Sequence, residues 1–399
     1  MVLSSTGNEG RNQLESHLSI RSMHGRQSWN ASQALPRDVH ELKLPLQQKD
    51  RQVQHRQQGL WPYSLLNSPL HQPLCDNSLL EVLIGLAASM GERTLLPHDR
   101  GHLLWTAEDG ASRLLTSSMD RWTTAIVGDD GIDGPVMGFG EKVTAQVIAR
   151  GDGTVAGAAV IDYMLQIWAP SLSTSWKAGD GRRISEGDVI VEISGDSESV
   201  LRMERSILNI LGQLSGIATN AAHWATIAPR QVAATRKTVW GMLDKWAVHL
   251  GGGLTHRLNK DDAKMIKEND LAVTGESGMQ AIVQLLSTMD VDDCGAFLEL
   301  EVTNEKDAII AASTWKQRQD TESVPQLVLM LDNFGPERSK EMVNELTDMG
   351  LRDAVVLEAS GNIVFKDLEE WRECGVDVLS TSAINRGTTP IDVSMLIGQ

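Results

Sequence analysis

Thr235-Arg236-Lys237-Thr238, Gly251-Gly252-Gly253, His256-Arg257 and Ile266-Lys267-Glu268-Asn269 all fall within residues 235–269, so cationic side chains recur beside apolar runs and a glycine turn. That combination describes a concave, positive site suited to anions. Arg236 and Arg257 carry planar forks that hold a carboxylate or phosphate through two parallel hydrogen bonds, whereas Lys237 and Lys267 are compact point charges. Dicarboxylates and phosphorylated sugars are the natural ligands. Consecutive glycines mark a turn, or a place where main chain must approach something closely.

The elements that must position these residues follow in order. Apolar runs at 231–234, 263–266, 297–302, 327–331, 354–358 and 376–380 alternate with helical stretches, which predicts a parallel α/β sheet with right-handed crossovers. Arg236 and Lys237, Lys267, Glu301, Asp332, Glu358 with Ser360, and Ser380 each stand at or just after the carboxyl end of a strand. In an α/β barrel those ends converge on one face. Glu301 and Asp332 offer the oxygen ligands that magnesium prefers. The turns Ser360-Gly361-Asn362 and Ser380-Thr381-Ser382-Ala383 expose main-chain N–H groups able to hold a phosphate. An organic dianion, a sugar phosphate and Mg2+ are therefore expected together at one barrel mouth.

Upstream, residues 199–224 place Val200, Met203, Ile207, Leu211, Leu214 and Ala218 on a broad apolar helical face. Residues 143–193 are strand-rich, with the turns Gly151-Asp152-Gly153, Gly179-Asp180-Gly181 and Gly187-Asp188 expected to be structural. A helix is expected over 79–87, and the polar stretch 1–75 reads as a disordered extension. Hydrophobic residues make up 41% and charged residues 22%, the balance of a soluble globular protein. A net charge of −17 argues against nucleic acid as a partner, and no apolar run approaches the ~20 residues of a membrane span. Cys75, Cys294 and Cys374 are too scattered for a disulfide framework or a zinc site, so a reducing cytoplasm is expected.

From about residue 77 to its end the chain resembles quinolinate phosphoribosyltransferase, also called carboxylating nicotinate-nucleotide pyrophosphorylase, of de novo NAD synthesis. The likeness is carried by Glu204-Arg205, Leu214-Ser215-Gly216-Ile217-Ala218-Thr219, the motifs of 235–269, Glu299-Leu300-Glu301-Val302, Leu331-Asp332-Asn333 and Leu357-Glu358-Ala359-Ser360-Gly361. The resemblance implies an N-terminal α/β sandwich over 76–206, joined by 385–399, an incomplete α/β barrel over 207–384, and a homodimer with shared active sites. It implies that Arg236, His256, Arg257 and Lys267 meet the quinolinate carboxylates, with Arg205 supplied by the partner subunit. Lys237 would meet phosphoribosyl diphosphate, and Glu301 and Asp332 the ribose and Mg2+; Lys237, Lys267, Glu301 and Asp332 form the catalytic set. Ser360, Gly361, Asn362, Ser380 and Ser382 would hold the 5-phosphate.

The chain departs from the family pattern at Asp270, where His is usual, at Trp240, where Pro is usual, and at Asn362 and Ser382, where Gly is usual. Of the early Gly-Asp-x-Thr motif it keeps only Leu115-Thr116-Ser117 after Glu108-Asp109. Two alternatives stay open on the residues. One is a related phosphoribosyltransferase acting on another acid, either nicotinate or the substrate of the paralogue found with molybdate transport systems. The other is a non-catalytic ligand-binding descendant.

Overall fold

The computed structural model describes residues 96–106, 108–272 and 278–398; the expectations for 1–75 and for a helix over 79–87 lie outside the described residues. The first half is built on strands β1 (Lys142–Ala149), β2 (Ser173–Trp176) and β3 (Val189–Asp196), paired antiparallel in the order β1-β3-β2. Their alternation buries Ala145, Val147 and Ala149 of β1 with Val191 and Ile193 of β3. Against this face pack helices α1 (Arg113–Asp129), α2 (Ala158–Trp168) and α3 (Ser197–Ile227), which contribute Met119, Ile161, Met164, Val200, Met203 and Ile207 to one core. Each fully buried side chain of this size contributes roughly 1.5–3 kcal/mol.

The Gly-Asp turns are structural. Asp180 caps α2, its carboxylate accepting from the main-chain N–H of Gly157 (2.7 Å), Ala158 (2.8 Å) and Ala159 (3.1 Å). Asp152 and Asp188 accept from the N–H of Glu186 (3.0 Å) and Ser185 (2.8 Å). The expected one or two helices over 199–224 are a single helix, started by Asp196, whose side chain accepts from Ser199 N–H at 2.8 Å.

The second half carries six parallel strands: β4 (Val232–Ala234), β5 (Lys264–Ile266), β6 (Leu298–Val302), β7 (Leu327–Asp332), β8 (Val355–Ser360) and β9 (Val378–Thr381). Each lies within two residues of its expected place. Their order is β4-β9-β8-β7-β6-β5. A last strand, β10 (Val393–Ile397), returns to pair with β1, Val393 opposite Ala149. Gly216 of α3 makes room for that return, since a Cβ there would stand 2.4 Å from Thr389 O.

The barrel strands are buried on both faces, as crossovers require. Outward-facing Leu298, Leu300, Leu327, Leu329 and Leu357 join the main core with the helices Glu305–Gln319 and Gly335–Asp348. Inward-facing Ala233, Ala263, Phe297, Val328, Val356 and Val378 form a separate apolar floor. Two residues further along each strand the same face presents Glu299, Met330, Glu358 and Ser380; two further still it presents Glu301, Asp332 and Ser360. Apolar residues thus close the bottom and polar ones rise to the mouth. β4 and β5 are the ends of this sheet, so the barrel is open along one seam, where Leu254 bridges Ala233 in parallel. No helix among the described residues is long and apolar enough to cross a membrane.

Candidate functional site

The barrel mouth holds a cavity of about 1010 Å³. Arg236, Lys237, His256, Arg257, Lys267, Glu301, Asp332, Ser360, Gly361, Asn362, Ser380 and Ser382 all line it. Arg205 does not; it lines a separate cavity of about 470 Å³ with Asn209, Gln213, Trp240, Pro390 and Asp392. Glu358, expected among the strand-end residues, lies wholly buried below the mouth.

The cation-bearing loops are braced from beneath by helix α4 (Met242–Leu250). The buried Asp244 accepts from Val239 N–H (2.8 Å) and Trp240 N–H (3.1 Å), holding the end of the Arg236-Lys237 loop. Its neighbour Lys245 donates through Nζ to Ala234 O (3.1 Å) and to Thr255 O, tying the residue before Thr235 to the residue before His256. Gly251 and Gly253 do not line the mouth cavity. They allow close packing: a Cβ at Gly251 would stand 2.3 Å from Ala218 O of α3, and one at Gly253 2.6 Å from the Val248 side chain. The glycine run therefore serves packing under the site, not ligand approach.

Burial, aided by the positive charge of Arg236, pushes the Lys245 ammonium down to about 7 from 10.5. The unfolded chain keeps its proton up to the higher value and the folded chain loses it near the lower. Between the two, the unfolded state binds more protons, so stability rises with pH; below about 7 both forms are charged and the contribution is flat. Each pH unit in that window is worth about 1.4 kcal/mol. The unfolding free energy of the wild type minus that of Lys245→Met, from urea titrations, is therefore expected to grow between pH 7 and 9. A constant difference would mean that Lys245 titrates as a free lysine.

His256 sits in the left-handed region at φ 54°, costly for a residue with a Cβ, and its ring is buried. Arg257 N–H donates to His256 Nδ1 at 2.7 Å, which leaves the ring proton on Nε2, facing Glu358 Oε1 at 3.2 Å and Glu299 Oε1 at 3.5 Å. Burial opposes a proton on this ring and the two carboxylates, Glu358 foremost, raise its affinity for one. The Arg257 guanidinium is anchored by donating to Ala263 O at 2.9 Å. Lys267 pairs with Glu301, and Lys267 N–H donates to Asp270 at 2.9 Å, so Asp270 fixes the turn that carries the lysine.

At the other end of the cavity Asp332 accepts from Ser360 O–H and from Asn333 Nδ2, each at 2.7 Å. Asn362 takes φ 54°. This is the conformation a glycine turn would use, and Asn tolerates it better than other side chains. Ser382 is not left-handed, so glycine is not required there. Ser380 Oγ is buried at the wall and has no hydrogen-bond partner among the described residues. Asn220 of α3 donates to Ala383 O (3.0 Å) and Ile384 O (2.8 Å), which fixes the loop after β9. Trp240 packs near Trp122, ring centroids 6.5 Å apart.

Sequence reasoning passed over Arg386, an exposed cation lining the same cavity just beyond the expected end of the barrel at 384. It also passed over Lys245, whose place in an amphipathic helix gives no hint of burial, and His98, a lone histidine outside any strand or helix. The arrangement gathers Arg236, Lys237, Arg257, Lys267 and Arg386 against Glu301 and Asp332, a positive cavity in an acidic chain.

Residues 217–396 match the family model of the quinolinate phosphoribosyl transferase C-terminal domain, and residues 124–215 that of its N-terminal domain. A probable nicotinate-nucleotide pyrophosphorylase (carboxylating) of Archaeoglobus fulgidus is 35% identical over 266 residues, covering 65% of this chain and 96% of that protein. The chloroplastic nicotinate-nucleotide pyrophosphorylase (carboxylating) of Arabidopsis thaliana is 30% identical over 276 residues, 65% of this chain and 75% of that one. The solved nicotinate-nucleotide pyrophosphorylase from Francisella tularensis superposes with a TM-score of 0.60 at 26% identity, over 71% of this chain and 96% of the other. With both domain models matched in order, and the strand-end cations and carboxylates of the motifs gathered at one barrel mouth, the chain belongs to the quinolinate phosphoribosyltransferase family.

Proposed function

We propose that the barrel-mouth cavity binds quinolinate and phosphoribosyl diphosphate and converts them to nicotinate mononucleotide, diphosphate and carbon dioxide, a step of NAD biosynthesis. The observation that carries this reading is the convergence of Arg236, His256, Arg257 and Lys267 on one cavity with the turns around Ser360 and Ser382. Arg236, Arg257 and Lys267 suit the two carboxylates, His256 holds the Arg257 main chain beside them, and the turns suit the 5-phosphate.

In the reaction the lone pair of the ring nitrogen forms the bond to the anomeric carbon as the carbon–oxygen bond to diphosphate breaks, its electron pair leaving on diphosphate. Positive groups at the mouth, Lys237 and Arg386 among them, lower the barrier by meeting that developing charge. The quaternised ring nitrogen then stabilises the electron pair left on C2 when the 2-carboxylate departs as carbon dioxide, and C2 takes a proton. Glu301 and Asp332 are oxygen donors on neighbouring strands, which fits Mg2+; with diphosphate it would supply further positive charge to the leaving group. Arg205, absent from its own chain's cavity, is contributed by the second subunit of a homodimer. Cys294 and Cys374, both buried free thiols, suit a reducing compartment such as the cytoplasm.

The test uses quinolinate labelled in its 2-carboxylate with the purified full chain and Mg2+. Label is expected as carbon dioxide only when phosphoribosyl diphosphate is present, in equal amount to nicotinate mononucleotide. Release without phosphoribosyl diphosphate, or none with both, would contradict the reading.

A further inference from the structure

His98 precedes residue 124, where the family match begins, and stands in no strand or helix, yet it is fully buried. Its segment is strapped across the open seam of the barrel. Thr255 O–H donates to His98 O (3.2 Å), Arg100 N–H donates to Thr255 Oγ1 (3.0 Å), and the Arg100 guanidinium donates to both oxygens of Asp262 (2.8 and 2.7 Å). Fixed in this way, the His98 ring enters the barrel interior. It lies edge-on to His256 with centroids 4.9 Å apart, and 5.0 Å from Phe297 of the barrel floor.

There its Nε2 stands 2.7 Å from Glu358 Oε2, while the other oxygen of that carboxylate faces His256 Nε2 at 3.2 Å. Two imidazoles and a carboxylate within 4.8 Å of one another are also ligand types a metal would take. Arg257 N–H occupies His256 Nδ1, however, so His256 Nε2 carries a proton and donates; it has no lone pair for an ion. A buried carboxylate needs donors on both oxygens. His98 serves one and His256 the other, which fixes the plane of Glu358 and, through it, the His256 ring.

We propose that His98 is a positioning residue for quinolinate, acting through Glu358 to set His256 and Arg257 in the cavity wall. The proposal rests on the reading that Arg257, its main chain held by His256, meets a carboxylate of the acid. Nothing in it requires His98 to touch substrate.

The test compares His98→Phe, which keeps a ring against Phe297 but has no donor, with His98→Gln, which keeps a donor. In the full chain, His98→Phe is expected to raise the KM for quinolinate about tenfold, the size of one lost charge-assisted hydrogen bond. The KM for phosphoribosyl diphosphate should stay unchanged, and His98→Gln should recover most of the loss. Should His98→Phe fail to fold, His98→Leu against His98→Gln carries the same comparison. An unchanged KM for quinolinate, or an equal rise for both substrates, would overturn the proposal. So would a divalent metal retained by the wild type through dialysis and lost from the variant. A His256→Ala control separates the two levels: if it weakens quinolinate binding while the His98 variants do not, only the role of His98 fails. If His256→Ala leaves binding unchanged, the assignment of His256 fails and the proposal with it.

Discussion

Arg257→Ala is expected to raise the KM for quinolinate by about tenfold to a hundredfold, the worth of a charge-assisted hydrogen bond at roughly 1.5–3 kcal/mol, and to leave the KM for phosphoribosyl diphosphate nearly as it was. The guanidinium is buried, tied to Ala263 O, and set beside His256 at the cavity wall, so it is organised before any ligand arrives. Little side-chain entropy is then lost on binding. Lysine at this position would bring the charge but not the planar fork, so Arg257→Lys should recover only a small part. Steady-state kinetics with each substrate varied in turn reads the effect, and equal losses for both would place Arg257 away from the acid.

The second large effect concerns Arg205. It is exposed, its guanidinium stands 3.9 Å from Glu204, and it lies outside the mouth cavity of its own chain. If the partner's site is the one it serves, Arg205→Ala and Lys267→Ala should each be almost inactive alone. Mixed and reassembled, one chain brings an intact Arg205 and the other an intact barrel. Random reassortment makes about half the dimers mixed, each with one whole site, so about a quarter of wild-type activity should return, provided that the distant sites act independently. Absence of recovery in verified heterodimers would remove the shared site.

Much of the barrel was legible because its strands are apolar on both faces and follow one another at regular intervals. Leu298 to Val302 and Leu327 to Leu331 announce themselves as buried strands whatever their partners. The cations were legible for a related reason: Arg236, Lys267 and Asp332 fall just where such runs end, and chain order alone then brings them to one mouth. Periodicity says which face is buried but not which distant residues share it. His98 is a single histidine in a short turn, and its partner Glu358 is 260 positions away. Lys245 occupies a helix position that a solvated lysine fills equally well, and only the loops above it make it a brace. Gly251 and Gly253 show what their run announces, a turn and a close approach, with Gly251 set against α3 and Gly253 against Val248 and Ile384. Asn362 stands where the family usually has Gly, and its backbone takes the turn conformation regardless.

The most direct measurement is the ratio of kcat/KM for quinolinate to that for nicotinate, with phosphoribosyl diphosphate and Mg2+ saturating. A cavity that gathers Arg236, His256, Arg257 and Lys267 is equipped for two carboxylates, and an acid with one leaves part of that set, the buried Arg257 among it, short of a partner. The account predicts a ratio far above unity, with carbon dioxide released in step with nicotinate mononucleotide. A ratio near or below unity would contradict it.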